Sequence, residues 1–319
     1  PDAYFFFPRA PGAGYASFRS EVLRLIGPIP QLPDEAFGSW FSWYHNYTQE
    51  EKMREIEEFG RRGLPLDIVG LDMDWRRHPC YRMQIPNCSR YTHGDEALYE
   101  LNTDLFPDMA GFARSLHQRN MSLFLNDHPM KARAGLDEMT REEIDFRWKG
   151  LTSLLQLGVD FWWFDCHWRG TIAGVNCASS EASNPDDGKG FACNTEGHGV
   201  DYVAWEKYVQ FEVTARFDRE HRPRGRRTMQ LGCSNSRHLA DHRYPVWWTG
   251  DNRDTNLGQA VIDMVQAGIQ LKPYVHPDCG GHNGPFHDYS EEVYVRWTQF
   301  CSLGTILRLH SNPGMGRQP

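Results

Sequence analysis

The chain has 319 residues, of which 40% are hydrophobic and 13% aromatic; this composition excludes a disordered chain and provides enough apolar surface for a large buried core. Forty-two acidic against 34 basic residues leave a net charge of −8, which argues against a nucleic-acid partner or an anionic membrane surface. The sequence contains no run of about 18 apolar residues, so we expect no membrane span.

Eight short apolar runs are predicted as β-strands. In chain order they are residues 38–43, 67–72, 122–127, 160–165, 228–232, 245–251, 269–275 and 305–310. Helix-length segments separate most of them, among them residues 50–62, 141–157 and 203–219. Alternation of strands and helices is typical of parallel βα units, and eight such units predict an α/β protein with a closed (β/α)₈ TIM barrel.

The ends of the chain and one internal stretch do not fit an isolated barrel. Residues 1–37 are aromatic and rich in proline, and we expect them to be a lead-in segment from a preceding domain, with the barrel over 38–319. Residues 170–200 are rich in Gly, Ser, Asn and Asp and predict a long loop after the fourth strand. Only nine residues follow the eighth predicted strand, so we expect its outer helix to be missing and the chain to be a segment of a longer protein.

The eight cysteines fall into two groups by their context. Cys80 and Cys88 flank one polar loop, Cys177 and Cys193 flank another, and each pair is a candidate for a short disulfide. Four others lie in apolar or glycine-rich segments and are expected to be buried thiols: Cys166, Cys233, Cys279 and Cys301. Because no CxxC spacing occurs, no zinc site is expected.

Three Asn-x-Ser/Thr sequons, at Asn46, Asn87 and Asn120, are candidate glycosylation sites. Each alone says little, since such triplets arise often by chance. Together with the two candidate disulfides they favour a glycoprotein of the secretory pathway, either extracellular or lysosome-like.

Polar residues that can bind ligands or transfer protons follow most of the predicted strands. Along the chain they are Asp72 and Asp74, then Asn126, Asp127 and His128, then Asp165 and His167, and finally Asp251, Asp278 and His310. In a parallel barrel the carboxyl ends of all strands face one side, so these side chains are expected to converge at one mouth. For Asp72 and Asp74 taken singly, a role as a helix N-cap stays open as an alternative.

Two of these acids lie among aromatic residues. Asp165 ends the run Phe-Trp-Trp-Phe-Asp, and Asp251 ends Trp-Trp-Thr-Gly-Asp. Tryptophan rings pack on the apolar faces of sugars, and a pair of carboxyl groups cleaves glycosidic bonds in most glycosidases. The separation of the two groups distinguishes retaining from inverting enzymes, and the residues themselves leave both open.

Several segments in the right order resemble glycoside hydrolase family 31, a family of retaining α-glucosidases and α-xylosidases. The similar segments are residues 65–75, 161–165, 248–252, 277–281, 296–297 and 307–310. The resemblance implies that Asp165 is the nucleophile and Asp251 the acid/base. It also implies sugar contacts from Asp72, Asp278 and His310, with Arg308 supporting the site and no metal or organic cofactor.

The chain departs from the usual family pattern near the expected sugar pocket. Asp165 is followed by Cys-His-Trp where the common pattern is Asp-x-Asn-Glu. Arg237 is the natural candidate for the arginine that contacts the sugar, although Asn235 is an alternative. The third-strand end at Asp127, together with His282, is similar to a less studied branch of the family. The candidate substrates are therefore α-glucosides, α-galactosides and N-acetylated sugars, and the sequence leaves the choice among them open.

The sequence thus predicts a retaining exo-α-glycosidase that acts on a carbohydrate substrate. The predicted substrate-binding residues are Asp72, Asp127, Trp163, Arg237, Trp248, Asp278 and His310. Two alternatives use the same barrel: a non-catalytic carbohydrate-binding or structural glycoprotein, and an α-transglycosidase. The family normally carries β-sandwich domains on both sides of the barrel, so other segments of the same precursor are possible partners.

Overall fold

The computed structural model of the chain describes residues 14–76, 99–127, 141–165, 202–233, 241–282 and 290–312. Several expectations therefore lie outside the described residues: the long loop at 170–200, the cysteine pairs Cys80–Cys88 and Cys177–Cys193, the sequon at Asn87, and Arg237. None of the described helices has both the length and the apolar composition needed to cross a bilayer.

Eight strands form one parallel sheet in the described part of the chain. They are β1 (Ser39–Trp43), β2 (Ile68–Leu71), β3 (Ser122–Asp127), β4 (Phe161–Phe164), β5 (Leu231–Cys233), β6 (Trp247–Trp248), β7 (Val275–His276) and β8 (Leu307–Leu309). Each strand pairs with the next from β1 to β7, and β1 also pairs with β8. The predicted (β/α)₈ barrel is confirmed.

The remaining gap in the ring, between β7 and β8, is closed by a single parallel bridge. Cys279 pairs with Leu309, and the amide of Cys279 donates to the carbonyl of Arg308 at 3.1 Å. This seam is much shorter than the β1–β2 ladder, in which four residue pairs match. The two strand ends that flank the seam carry residues of the mouth.

The seventh strand begins later than the sequence predicts. Residues 269–275 form the predicted run, but Ile269 ends a helix and Leu271 has a φ of 66°. Leu271 is buried against Val22 and Ile26 of an earlier helix, which accounts for its apolar character without a strand. Strand pairing starts only at Val275.

Seven helices are described. They are α1 (Tyr15–Ile26), α2 (Gln49–Arg61), α3 (Met109–His117), α4 (Arg141–Gln156), α5 (Tyr202–His221), α6 (Leu257–Ile269) and α7 (Glu291–Cys301). Helix α2 shows how the local sequence fixes a boundary. The Thr48 hydroxyl accepts from the Glu51 amide, and the Glu51 carboxylate accepts from the Thr48 amide, which forms a capping box.

Helix α1 lies within residues 1–37, which are predicted to be a lead-in segment, and it packs on the outside of the barrel. The Tyr15 hydroxyl donates to the carbonyl of Ile269 at 3.1 Å. At the other end of α1, the Arg243 guanidinium donates to the carbonyl of Ile26 at 2.6 Å. These contacts attach the lead-in helix to the segments that flank β6.

Alternate residues of each strand point into the barrel or toward the helices. Trp40, Phe124 and Phe161 pack together inside, with ring centroids 5.3–5.8 Å apart. Gly70 of β2 leaves room for them, because a Cβ there would lie 2.2 Å from the Phe124 ring. Two residues beyond Trp40 and Phe124, the same inward face carries Ser42 and Asn126 at the mouth, since strand faces alternate with period two.

Cys279 and Cys301 form a disulfide with an S–S distance of 2.13 Å. The prediction of buried thiols is wrong for these two residues, although both are buried, each 1% exposed. The 21 residues between them include helix α7 up to its last residue, Cys301, and this helix returns to the barrel wall beside β7. That return is a tertiary feature that neither cysteine's local context reveals.

Replacing this disulfide is expected to lower the free energy of unfolding by about 3 kcal/mol. The bond joins residues 22 positions apart, and without it the unfolded chain gains the conformational entropy of an open loop. The double variant Cys279→Ala/Cys301→Ala should therefore unfold at lower denaturant concentration and lower temperature. Circular dichroism under non-reducing conditions measures the change. Ser302→Ala, at the neighbouring exposed position, is the control, and an unchanged midpoint in the double variant would contradict the expectation.

Candidate active site at the mouth of the barrel

The carboxyl ends of the strands bring polar side chains together at one mouth, as the sequence predicts. Because all eight strands are parallel, the residues that follow them lie on the same side of the barrel. The group comprises Ser42, Asp72, Asn126, Asp165, Asp251, Asp278, His282, Arg308 and His310. It holds four carboxyl groups and one guanidinium.

Asp165 and Asp251 lie in the same mouth. The Asn126 side-chain amide donates to Asp165 Oδ2 at 3.1 Å, which orients the carboxylate. The Asp251 side chain is at the rim and is 51% exposed. Burial by the surrounding walls and the negative charge of Asp165 raise the pKa of Asp251 to about 7. Two carboxyl groups with different environments are the arrangement that separates an acid from a nucleophile.

Asp72 lies deeper than Asp251 and is 7% exposed. Its Oδ1 accepts a hydrogen bond from the amide of Met73 at 2.8 Å. Asp72 is therefore also the N-cap of the short helical turn Met73–Trp75, which was the alternative role predicted for it. Its Oδ2 lies 3.7 Å from His310 Nε2. Burial and the charge of Asp165 raise the pKa of Asp72 to about 8. Asp72 therefore carries a proton through most of the neutral range.

Arg308 and Asp278 form a fully buried ion pair across the seam between β7 and β8. Arg308 donates to Asp278 Oδ1 at 2.6 Å and, through Nε, to the Ser42 hydroxyl at 3.1 Å. The guanidinium lies over the ring of Trp163 at 4.2 Å and over that of Trp248 at 5.7 Å. Both tryptophans are 1% exposed and form the floor that holds Arg308.

His310 is oriented by β1. Its Nδ1 lies 2.9 Å from the Ser42 hydroxyl and 3.1 Å from the Ser42 carbonyl oxygen. Burial and the positive charge of Arg308 lower the pKa of His310 well below its ordinary value, so the ring is neutral at neutral pH. The ring stacks on His282, with centroids 4.9 Å apart and planes 22° from parallel.

The structure does not bring Asp127 to the mouth. Asn126 points inward to Asp165, so the next residue of β3 faces the helices. The Asp127 carboxylate is fully buried there, with Oδ1 3.5 Å from the Arg76 guanidinium. Asn126 is at the mouth, as the sequence predicts, whereas His282 was predicted only through the family resemblance. Ser42 was not predicted, although the inward parity of its strand is a usable signal.

Asp278, His282 and His310 lie close enough to share a ligand. One potential ligand atom from each residue lies within 4.8 Å of the other two. The sequence predicted no metal site because it contains no CxxC spacing. The three residues come from the ends of β7 and β8, so their grouping depends on the closed barrel and not on a local motif.

Comparison with protein families identifies one family over nearly the whole chain. The family model described as "Glycosyl hydrolases family 31 TIM-barrel domain" matches residues 29–144 and 126–319. An α-xylosidase of Saccharolobus solfataricus is 24% identical over 323 aligned positions, which cover 90% of this chain and 39% of that protein. A lysosomal α-glucosidase of Mus musculus is 25% identical over 98% of this chain and 36% of that protein.

Solved structures share the fold. The GH31 α-xylosidase of Xanthomonas citri superposes with a TM-score of 0.68 at 17% identity, over 94% of this chain and 35% of that one. The GH31 dextranase of Flavobacterium johnsoniae, complexed with glucose, superposes with a TM-score of 0.66 at 20% identity, over 93% of this chain and 39% of that one. The chain spans 39% or less of the length of each of these four proteins.

Proposed function

Because the chain belongs to glycoside hydrolase family 31, we propose that it is the catalytic barrel of a retaining exo-α-glycosidase. The observation that supports this most directly is that Asp165, oriented by Asn126, and Asp251 both lie at the one mouth formed by the carboxyl ends of the parallel strands. A binding protein has no need of a nucleophile and a proton donor in one mouth. The alternative of a non-catalytic glycoprotein is therefore less well supported.

In the first step, Asp165 attacks the anomeric carbon of the sugar. Asn126 binds Asp165 Oδ2 and so orients the carboxylate that forms the bond. Asp251, protonated below its pKa of about 7, donates its proton to the glycosidic oxygen, and the leaving group departs as an alcohol. The product of this step is a glycosyl ester of Asp165.

In the second step, Asp251 accepts a proton from water, and the water attacks the anomeric carbon. The ester has no negative charge, so one cause of the raised pKa of Asp251 disappears when it forms. The lower pKa makes Asp251 a carboxylate, which is the form a general base requires. The two carboxyl groups thus carry both steps without a cofactor, and an acceptor sugar in place of water would give transglycosylation.

Cleavage at a chain end is supported by the buried floor of the mouth. Asp72, Asp278 and His310 are each less than 10% exposed and surround the inner end of the site. A floor of this kind stops a sugar chain after one residue, as an exo-acting enzyme requires. Asp72, Asp278 and His310 are proposed to contact the sugar hydroxyls, and Trp163 and Trp248 to hold the floor in place.

We expect an uncharged sugar. Among the described residues of the mouth, the one guanidinium, Arg308, is already bound to Asp278, so this part of the mouth offers no net positive charge to a uronic or sulfonated sugar. The names of the relatives point to α-xylosides and α-glucosides. α-Galactosides and N-acetylated sugars are further candidates, and a panel of aryl α-glycosides distinguishes them.

The proposed nucleophile is tested with an epoxide analogue of an α-linked sugar. A nucleophile that opens the epoxide ring becomes covalently attached to the analogue. We expect one molecule to attach to each chain, and peptide mass spectrometry should place it on Asp165. Asp165→Asn should bind the analogue without an adduct. Binding to the wild type without an adduct would support the non-catalytic alternative, and an adduct on another residue would contradict the assignment of Asp165.

The secretory pathway is the proposed location. The Cys279–Cys301 disulfide and the lysosomal location named for the mouse relative support it, because disulfides persist mainly in oxidising compartments.

A further inference from the structure

Two potential metal-ligand atoms are among the buried polar atoms of the mouth that have no hydrogen-bond partner within the described residues. They are His310 Nε2 and Asp278 Oδ2, on side chains that are 3% and 0% exposed as residues. A buried nitrogen and a buried carboxylate oxygen without partners are costly, and their cost is recovered only when a ligand binds them. Both atoms belong to the group of three that includes His282.

The protein fixes which nitrogen of His310 is available. The carbonyl oxygen of Ser42 can only accept a hydrogen bond, so the contact at 3.1 Å places the proton on Nδ1. Nε2 then carries a lone pair. Metal-binding histidines are commonly held in this way, with the second ring nitrogen donating to a backbone carbonyl. Arg308 holds Asp278 through Oδ1 and leaves Oδ2 for a ligand.

Further carboxylates adjoin these donors. Asp72 Oδ2 lies 3.7 Å from His310 Nε2, and Asp251 Oδ2 lies 3.7 Å from His282 Nε2. Either carboxylate is within reach of a cation held by the two histidines.

From these contacts we propose that Asp278, His282 and His310 bind a divalent transition metal of the zinc class, and that the metal competes with the sugar. Two imidazoles and one carboxylate are donors that Zn²⁺ accepts readily. Ligand atoms in a tetrahedral zinc site lie about 3.4 Å apart, so the three donors need to close by at most about 1.4 Å from their outer limit of 4.8 Å.

The metal-binding part of this proposal does not depend on the proposed function, whereas the competition does. A sugar bound as proposed above uses the same His310 and Asp278 atoms. Metal and sugar therefore exclude each other, and Zn²⁺ is an inhibitor that acts at the mouth.

Isothermal titration of the protein with zinc chloride tests the metal site. His282→Phe keeps a ring to stack on His310 and removes one ligand, so we expect Zn²⁺ affinity at this site to fall by about 10- to 100-fold or beyond detection. His221→Phe, on a half-exposed histidine at the end of α5, is the matched control and should titrate as the wild type does. Wild-type titration of His282→Phe, or no Zn²⁺ binding by the wild type, would overturn the site.

Steady-state kinetics test the competition. Zn²⁺ should raise the KM of the wild type for its aryl α-glycoside and leave kcat unchanged, and His282→Phe should resist the effect. A fall in kcat at constant KM, or equal inhibition of both proteins, would overturn the competition. If the wild type has no activity on any glycoside, the proposed function fails, while the titration still decides whether the metal site exists.

Discussion

Asp165→Ala is expected to lower kcat/KM toward an accepted aryl α-glycoside by about 10⁴-fold or more, because it removes the nucleophile on which both chemical steps depend. The substitution also deprives Asn126 of its acceptor and removes the charge that raises the pKa of Asp251. The loss should appear in kcat as well as in kcat/KM. Initial rates of phenol release, with enzyme concentration varied over several decades, measure it.

Two controls accompany Asp165→Ala. Asp145→Asn changes an exposed acid on α4 that does not belong to the group of residues at the mouth, and it should keep wild-type kinetics. A thermal melt of Asp165→Ala should show a folded protein, since the residue follows β4 and does not belong to the core. Wild-type rates for Asp165→Ala on every accepted glycoside would remove the basis of the mechanism.

Asp251→Ala is expected to reduce kcat/KM by about 10²- to 10⁴-fold for substrates with poor leaving groups, which need a proton from the enzyme. Aryl glycosides with acidic phenols depart without that proton and should lose far less in the first step. In the wild type, activity should fall as the pH rises through about 7, because the acid must be protonated. This basic limb should be absent from the variant.

The experiment compares kcat/KM for two leaving groups over a range from about pH 4 to 9, in wild type and Asp251→Ala. The pH profile separates a proton donor from a residue that only binds the sugar, because loss of binding would lower the whole profile without changing its shape. A basic limb near pH 7 that survives in the variant would show that another group supplies the proton.

The order and direction of the strands were predictable because each strand is an apolar run that stops at a polar residue. β3 matches its predicted range of 122–127 in full. β7 has only two residues, which are too few to show an alternating pattern. The predicted strand therefore started too early, at Ile269, which is the apolar end of α6. In that region tertiary packing, and not local sequence, decides which residues pair.

The sequence was enough to predict that several acids meet at the mouth, but not how the side chains are arranged there. Asp127 and Asn126 are neighbours, and only their position in β3 decides which one faces the mouth, since one residue of shift reverses the faces. Asp278, His282 and Cys301 come together with β8 residues through closure of the barrel. No pattern within a single segment predicts such contacts.

The pairing of β1 with β8 also determines when the mouth can first be complete. Ser39 pairs with Leu307, and Ser42 holds both Arg308 and His310, so the first and last strands jointly build the floor. Contacts between residues so distant in sequence are slow to form. During synthesis the mouth is therefore incomplete until His310 has left the ribosome, and a folding intermediate that lacks the β1–β8 ladder should be catalytically silent even with six or seven strands in place.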